Sequence, residues 1–327
     1  MDPLLITVML ISFLTTLVII PKWIRRAHLE GLTGKDMHKL DKREIAEAGG
    51  IGILGGFIIG VFLYLALNTF YFHDQSKILE ILGLLGVLFF AALVGVVDDL
   101  LGWKRGLNKK IRIFMIFFAA VPLMVLNVGE STMLGIHFGI FYPLILIPLG
   151  VVATTTTFNF LAGYNGLETG QGIIILAGLA VATFLTGNPW LSVIALCMIA
   201  SLVAFYTFNK YPAKIFPGDM MTYSVGALIA CIAILGSIEK IAIFFFIPYI
   251  LETLLKLRGK LKKESFAKVK KDGSLELPYN KIYGLEHLAI LVLKKLKPNK
   301  KVYEKDISLI IHAFTILVIL IGFLIFF

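Results

Sequence analysis

Residues 81–99 read ILGLLGVLFFAALVGVVDD, an apolar run without a charge that ends in two adjacent carboxylates. An α-helix needs about 20 apolar residues to cross the ~30 Å hydrocarbon core of a bilayer. The run and its flanks therefore predict a membrane-spanning helix, with the two acids placed where that helix reaches the membrane surface.

The composition of the whole chain extends this interpretation. Its 327 residues are 58% hydrophobic and 16% charged, with a mean hydropathy of +0.89, which is far from the composition of a soluble globular domain. Residues 3–21 lack the basic segment and cleavage site of a secretory signal, so we interpret them as a retained span. The two cysteines, Cys197 and Cys231, fall inside predicted spans and have no spacing typical of a disulfide framework or a metal site.

Apolar runs of span length recur along the chain and predict an all-α, polytopic membrane protein with about ten transmembrane helices. A turn around Thr186–Pro189 divides one long run into two spans, and a hairpin is expected around Gly135–Gly139. We predict one membrane-embedded domain over residues 1–327, with spans at residues 3–21, 48–72, 78–97, 111–129, 140–160, 169–186, 189–208, 220–237, 240–256 and 306–327.

The basic residues fall almost entirely on one side of this topology. Of the 31 Lys and Arg residues, 29 lie in or beside the loops that follow odd-numbered spans. Because Lys and Arg in short loops mark the cytoplasmic side, both termini are predicted to be extracytoplasmic in an integral protein of the cell membrane. The net charge of +10 would then meet anionic lipid or substrate, whereas nucleic acid is excluded because no soluble domain is predicted. The predicted cytoplasmic loops cover about 22–46, 98–110, 160–168, 209–219 and 257–305.

Four polar motifs lie on this predicted cytoplasmic side. They are Asp98-Asp99 with the basic run Lys104, Arg105, Lys109, Lys110 and Arg112; NFLAGYNGLE at 159–168; FPGD at 216–219; and the basic cluster Arg258, Lys260, Lys262 and Lys263. Taken singly, each has a plain structural interpretation: acids at a membrane edge, a helix cap and turn, an Asp N-cap, and a solvated or lipid-attracting surface. Taken together, carboxylates and amides suit a divalent cation and basic side chains suit phosphates. The set therefore predicts phosphoryl transfer from a soluble anionic donor to a membrane acceptor.

With these motifs in this order, the chain resembles the polyprenyl-phosphate N-acetylhexosamine-1-phosphate transferase family, of the glycosyltransferase 4 type. The likeness is strongest to the eukaryotic and archaeal enzymes that load dolichyl phosphate. It covers, in order, 34–47, 98–99, 159–171, 211–219 and 273–276. The resemblance implies a ten-helix fold with a cytoplasmic active site. It also implies transfer of GlcNAc-1-phosphate from UDP-GlcNAc to a polyprenyl or dolichyl phosphate with release of UMP, the first step of lipid-linked oligosaccharide assembly.

The resemblance implies specific residues for the reacting groups. Positions matching Asn159 and Asp219 are expected to bind Mg²⁺, or Mn²⁺ in its place, with the donor diphosphate. Asp98 and Asp99 are expected to be catalytic residues close to the lipid phosphate.

The resemblance also implies residues that bind the nucleotide. Met37, Asn165 and Phe216 are expected to line the uracil pocket, with Glu47 near the ribose.

Two basic positions depart from the pattern of the relatives. The lysine at the acceptor phosphate corresponds to Lys110, but the preceding segment is longer here, so Lys109 is a rival. Relatives also carry an Arg-His-Arg type motif in the last cytoplasmic loop, and the equivalent region here contains Lys260, Lys262 and Lys263. These are weaker candidates for the diphosphate and sugar, since lysine cannot reproduce a guanidinium fork.

Other functions make different demands on the sequence. A phospho-MurNAc-peptide transferase would carry a His-rich loop motif, whereas His287 is the only histidine between residues 256 and 305. A secondary transporter would place its polar groups near the bilayer midplane, and a non-catalytic scaffold would leave the acidic and Asn motifs unexplained. The sequence leaves open whether the chain forms a homodimer and which polyprenol it uses.

Overall fold

The computed structural model describes residues 3–102, 106–126, 132–133, 136–299 and 301–327, and these residues are mostly helical. The helices are α1 (Pro3–Leu29), α2 (Gly50–Phe70), α3 (Ile78–Leu101), α4 (Lys109–Ala119), α5 (Val121–Leu126), α6 (Ile147–Phe158), α7 (Leu167–Leu185), α8 (Pro189–Asn209), α9 (Gly218–Leu235), α10 (Glu239–Phe245), α11 (Ile247–Arg258), α12 (Leu285–Leu296) and α13 (Glu304–Phe326). A π-helical turn, Tyr142–Leu146, leads directly into α6.

Three short antiparallel strand pairs complete the described secondary structure. They are β1 (Thr33–Lys35) with β2 (Glu44–Ala46), β3 (Thr132–Met133) with β4 (Ile136–His137), and β5 (Lys268–Val269) with β6 (Leu275–Glu276). The β3–β4 pair coincides with the hairpin predicted around Gly135–Gly139, of which Gly135 itself lies outside the described residues.

Seven of the described helices are long and apolar enough to cross a membrane. They are α1, α2, α3, α7, α8, α9 and α13. All seven coincide with predicted spans, which supports the interpretation of the chain as a membrane protein. The helix α1 continues as far as Leu29, so residues 22–29 are helical although a loop was predicted there.

The other three predicted spans are each divided into two shorter pieces. The segment 111–129 contains α4 and α5, 140–160 contains the π-helical turn and α6, and 240–256 contains α10 and α11. The second residue of α5, α6 and α11 is a proline in each case, namely Pro122, Pro148 and Pro248. Proline has no backbone N–H and is best accommodated in the first turn of a helix, which is where each of these three prolines lies. The count of ten spans therefore stays a prediction.

The last predicted loop, 257–305, contains regular structure that the sequence interpretation missed. It holds the β5–β6 pair and α12, which packs against α11 and α13. The apolar residues Leu285, Ala289 and Ile290 are buried, while Lys294 and Lys295 follow in the last turn of α12. The high charge of the segment as a whole hid this amphipathic helix.

The contact between α1 and α2 depends on small residues at four-residue spacing in α2. Gly52, Gly56 and Gly60 face Ile20, Thr16 and Ser12 of α1. A Cβ added at Gly56 would lie 2.0 Å from Thr16 Oγ1 and 2.5 Å from the Ser12 carbonyl oxygen. Such small-residue faces let helix backbones approach closely, which is a common mode of helix association in membranes.

We predict that Gly56→Ala destabilises the protein, because the new methyl group collides with the backbone of α1. Overpacking of this kind typically costs about 1–3 kcal/mol. The measurement is thermal unfolding of the purified protein in detergent.

Gly150→Ala is the matched control, since this glycine also lies inside a helix and the nearest atom to its added Cβ is 4.0 Å away. Equal thermal stability of the two variants would contradict close packing of α1 on α2.

Candidate functional site

A cavity of about 580 Å³ lies where the C-terminal ends of α3 and α6 meet the N-terminal ends of α7 and α9. Residues from distant parts of the chain form its wall. They include residues 31–37 with Glu47, Asp99 at the end of α3, Asn159 to Glu168, Phe216 to Thr222, and Phe266. The cavity therefore brings the motifs at 98–99, 159–168 and 216–219 to one place.

Backbone pairing between two distant segments places Glu47 and Phe216 in the cavity wall. The N–H of Phe216 donates to the Ala46 carbonyl at 2.8 Å, and the N–H of Gly49 donates to the Phe216 carbonyl at 3.0 Å. Glu47 follows β2 directly, and burial raises the pKa of its carboxyl above the usual value. The nucleotide residues predicted at positions 47 and 216 are therefore neighbours.

The carboxylate of Asp99 caps the N-terminus of α9. Its Oδ1 accepts from the N–H of Asp219 at 2.7 Å and its Oδ2 accepts from the N–H of Met220 at 3.2 Å. The first N–H groups of a helix have no partner within the helix, so a carboxylate satisfies them and also favours the positive end of the helix dipole. This contact fixes the end of α3 against the start of α9.

Gly218 makes the close approach of Asp99 to α9 possible. Its φ is +73°, and an added Cβ would lie 2.5 Å from Asp99 Oδ2. A residue with a Cβ would be strained in this conformation and would also displace the capping carboxylate. The FPGD motif therefore requires glycine at position 218, because of both the backbone conformation and the contact with Asp99.

Asp98 makes contacts of its own with Leu107, with Arg112 of α4 and with Tyr223 of α9. Its Oδ1 accepts from the N–H of Leu107 at 2.6 Å, and its Oδ2 accepts from the hydroxyl of Tyr223 at 3.2 Å and pairs with the Arg112 guanidinium. Asp98 is buried, so these partners satisfy a charge that burial would otherwise penalise. The structure therefore gives the two adjacent acids separate hydrogen-bond partners.

Asn159 and Asp219 form a direct pair across the cavity, with Asn159 Nδ2 2.7 Å from Asp219 Oδ1. Asn159 caps the end of α6 and Asp219 lies in the first turn of α9. Rotating the Asn159 amide would present an amide oxygen beside the carboxylate, and such oxygens are the ligands that Mg²⁺ prefers.

The charges around this pair also fit a divalent cation. A second cavity of about 370 Å³ adjoins the first, and its wall includes Glu47, Asp98, Asp99 and Asp219 against the basic Lys109 and Arg112. Within the part of the chain that the structure describes, acids thus outnumber bases around the pair, and Arg112 is already bound to Asp98. The residues present therefore suit a bound divalent metal ion.

The second cavity separates the two lysines that compete in the sequence. Lys109 lies in its wall, and its Nζ donates to the Leu261 carbonyl at 3.1 Å. Lys110 is exposed in the first turn of α4 and lies outside this wall. Lys104 and Arg105 lie outside the described residues. The geometry therefore brings Lys109, and not Lys110, next to the acids.

The weaker basic candidates flank Leu261, the partner of Lys109, but are not part of either cavity wall. Lys260 and Lys262 are exposed, and Lys263 Nζ lies 4.7 Å from the centroid of the Tyr279 ring. None of the three lines either cavity. Their expected role at the diphosphate therefore stays a prediction, without support from the cavity walls.

The loop that carries Asn165 is held by acids that the sequence interpretation did not single out. Glu168 Oε1 accepts from the N–H of Gly163 at 2.7 Å, and Glu304 Oε1 accepts from the N–H of Asn165 at 2.8 Å. Glu168 belongs to the 159–168 motif, whereas Glu304 lies far away in the chain at the head of α13. Its role has no local sequence signal apart from an acid in the first turn of a span.

Phe266 is a further residue of the cavity wall that the sequence interpretation missed. It lies in the cavity together with Met37, Asn165 and Phe216. The signal that could have found it is a single phenylalanine within a basic loop.

The amino-acid sequence of this chain is similar to those of several known proteins. Residues 81–237 match the family described as Glycosyl transferase family 4. A Saccharolobus solfataricus protein named "Putative UDP-N-acetylglucosamine–dolichyl-phosphate N-acetylglucosaminephosphotransferase" is 41% identical over 287 residues, which are 86% of this chain and 84% of the relative. The UDP-N-acetylglucosamine–dolichyl-phosphate N-acetylglucosaminephosphotransferase of Dictyostelium discoideum is 28% identical over 284 residues, covering 74% and 68% of the two chains. A phospho-N-acetylmuramoyl-pentapeptide-transferase of Streptococcus equi subsp. zooepidemicus is 27% identical over 257 residues, covering 75% and 76%.

We predict that Gly218→Ala destabilises the protein more than Gly273→Ala. Both glycines have a left-handed φ, +73° and +75°, so both variants pay about 1–2 kcal/mol of backbone strain. Only Gly218→Ala adds a collision with Asp99, because no heavy atom lies within 4 Å of a Cβ added at Gly273.

Thermal unfolding of the two variants in the same detergent measures this difference. Equal losses would mean that Asp99 does not pack against the start of α9 as described.

Proposed function

The chain belongs to glycosyl transferase family 4, and on that premise we propose that it transfers GlcNAc-1-phosphate from UDP-GlcNAc to a dolichyl or other polyprenyl phosphate. UMP is released, and the lipid-linked product starts the assembly of a lipid-linked oligosaccharide. The observation that carries the proposal is the Asn159–Asp219 pair, 2.7 Å apart in the wall of the larger cavity, in which Asp219 also lines the smaller one. One cavity suits a nucleotide and the other suits the phosphate of a membrane lipid.

The donor nucleotide is assigned to the larger cavity. Met37, Phe216 and Phe266 offer flat or apolar contact to a base, and Asn165 offers an amide for hydrogen bonds. Glu47 is assigned to the ribose, since a carboxylate can accept hydrogen bonds from both ribose hydroxyls. The diphosphate then extends toward Asn159 and Asp219.

Asp219 and Asn159 would hold Mg²⁺, or Mn²⁺, with the diphosphate of the donor. When bound, the cation offsets the charge of the diphosphate and polarises the phosphorus that is attacked. Asp219 keeps its place through the Asp99 cap on its own N–H, so Asp99 is assigned to orient this ligand. A phosphate monoester is largely dianionic near pH 7, given a second pKa of about 6, so the acceptor needs little help from a general base.

The acceptor phosphate is assigned to the smaller cavity, where Lys109 and Arg112 supply positive charge. An apolar groove of about 430 Å³ runs along α6, α9, α10 and α11, and its wall reaches Thr157, two residues before Asn159. A groove lined almost entirely by apolar side chains suits a polyprenyl chain. The lipid would therefore approach from the membrane side with its phosphate directed at the metal site.

The proposed topology has ten spans, extracytoplasmic termini and a cytoplasmic active site in the cell membrane. Its support is the distribution of Lys and Arg, of which 29 of 31 follow odd-numbered spans. The candidate residues at 98–99, 159–168 and 216–219 share this side.

We predict that Asp219→Ala loses at least about 100-fold in turnover, because the variant removes the charged ligand of the proposed cation. The measurement is UMP release from UDP-GlcNAc with a short-chain polyprenyl phosphate and Mg²⁺ in detergent. Asp74→Ala is the matched control, since this carboxylate is exposed beyond the far end of α2. Turnover of Asp219→Ala within a few-fold of the wild type would refute the metal assignment.

The same assay tests the identity of the donor. UDP-MurNAc-pentapeptide, the donor suggested by the name of the streptococcal relative, is expected to give no more than background UMP. A faster reaction with that donor than with UDP-GlcNAc would replace the proposed substrate.

We predict that Lys109→Ala raises the KM for the polyprenyl phosphate by about tenfold or more, because it removes a charged hydrogen-bond donor from the acceptor cavity. Lys110→Ala is the matched control, with the same change at a neighbouring, equally exposed lysine that lies outside the cavity wall. The measurement is the KM for acceptor at saturating UDP-GlcNAc. A larger effect of Lys110→Ala would reverse the assignment of the two lysines.

A further inference from the structure

The side chain of Asn165 is held by a buried cluster that includes Asp36, another residue of the cavity wall. Asn165 Nδ2 donates to Asp36 Oδ2 at 3.2 Å, and the backbone N–H of Asn165 donates to Glu304 Oε1 at 2.8 Å. Asn165, Asp36 and Glu304 are at most 5% exposed. The β1–β2 segment and the head of α13 thus both contact one residue of the cavity.

Lys39 joins the two acids of this cluster. Its Nζ pairs with Glu304 Oε2, lies 3.5 Å from Asp36 Oδ2, and lies 4.2 Å from the centroid of the Tyr211 ring. Asp36 Oδ1 also accepts from the N–H of His38 at 3.1 Å. A carboxylate paired in this way accepts hydrogen bonds and donates none.

This cluster also resembles a metal site. One possible ligand atom from each of Asp36, His38 and Glu304 lies within 4.8 Å of the other two. Two contacts argue against a metal. The Lys39 ammonium pairs with Asp36 and with Glu304, and its charge would repel a cation held between them. The cluster therefore supports its neighbours through Lys39, and Asp36 and Asn165 are the two members of the network that line the cavity.

The contact with Asp36 determines which way the Asn165 amide faces. The amide NH₂ must point to the carboxylate, because the reverse orientation would set Asn165 Oδ1 against Asp36 Oδ2. Among the described residues, no donor reaches Asn165 Oδ1. With one N–H held by Asp36, the amide oxygen on the other side of the carboxamide is therefore available as an acceptor for a ligand in the cavity.

We propose that Asp36 is a positioning residue that makes the cavity select uracil over cytosine by fixing Asn165 Oδ1 toward the base. Uracil carries an N–H donor at N3, whereas cytosine carries an acceptor there, so a fixed acceptor favours the first and repels the second. Buried polar groups that meet the wrong partner are strongly disfavoured, which is how such sites discriminate. The inference rests on the proposed function, in which this cavity holds the nucleotide of the donor.

The test is Asp36→Asn in the full chain, with Kd values for UMP and CMP measured by calorimetry in detergent with Mg²⁺. Asp36→Asn removes the charged acceptor, and an NH₂ in place of Oδ2 would meet both the Asn165 NH₂ and the Lys39 ammonium, so the variant no longer fixes the orientation of the Asn165 amide. We expect the wild type to prefer UMP by about tenfold or more and the variant to lose at least about tenfold of that preference. Asp41→Asn, a change of the same kind in the same loop at an exposed position, should leave the preference unchanged.

A merely structural role for Asp36 predicts a different result. Both affinities would then fall together while their ratio stayed constant, which would overturn the proposal. In an Asn165→Ala background, Asp36→Asn should have no further effect on the ratio, because Asp36 acts through Asn165.

Two further outcomes also test the role of Asp36 and the proposed function. If Asp36→Asn does not fold, Asn165→Ala alone must reduce the preference for UMP, and an unchanged ratio overturns the inference. A wild type that binds neither nucleotide refutes the proposed function, whereas a wild type that prefers UMP with an unaltered ratio in Asp36→Asn refutes only the role of Asp36.

Discussion

The capping of α9 by Asp99 is the interaction on which the site depends. It joins the end of α3 to the start of α9, and it places the Asp219 carboxylate beside Asn159 at the end of α6. A helix start directed at a site contributes positive potential as well as N–H donors. Because Asp99 satisfies the first N–H groups of α9, the helix can begin within a polar cavity without leaving those donors unpaired.

This arrangement concentrates polar groups at one end of an otherwise apolar bundle. Elsewhere in the described helices, Ser and Thr side chains mostly donate to carbonyl groups one turn earlier, as in Ser12, Thr183 and Thr315. Such contacts satisfy polar atoms at little cost in an apolar environment. The charged residues can therefore collect around the cavities, where the proposed substrates bring the opposite charges.

The sequence was sufficient to predict the helical membrane architecture, because apolar runs of span length are a strong signal. It did not predict which runs are divided, since proline is often tolerated within membrane helices and only packing decides where a new helix starts. The adjacency of Asn159 and Asp219 was expected from the family resemblance and not from spacing, because no periodicity links residues sixty positions apart. Lys109 and Lys110 show the same limit on a smaller scale. Asn108 caps α4 by accepting from the Lys110 N–H, and this start of the helix decides which lysine faces the acids.

The two cavities share Glu47, Asp99, Phe216 and Asp219 in their walls, and this shared wall constrains the proposed reaction. A donor diphosphate in the larger cavity and an acceptor phosphate in the smaller one would carry several negative charges to the same place. Coulomb repulsion between them would oppose the encounter unless positive charge lay between the two groups. Asp219 lies in both walls with Asn159 beside it in the larger cavity, while Lys109 and Arg112 lie only on the acceptor side. A cation held by the pair would therefore serve both substrates at once, and the acids that surround it would keep it in place when the products leave.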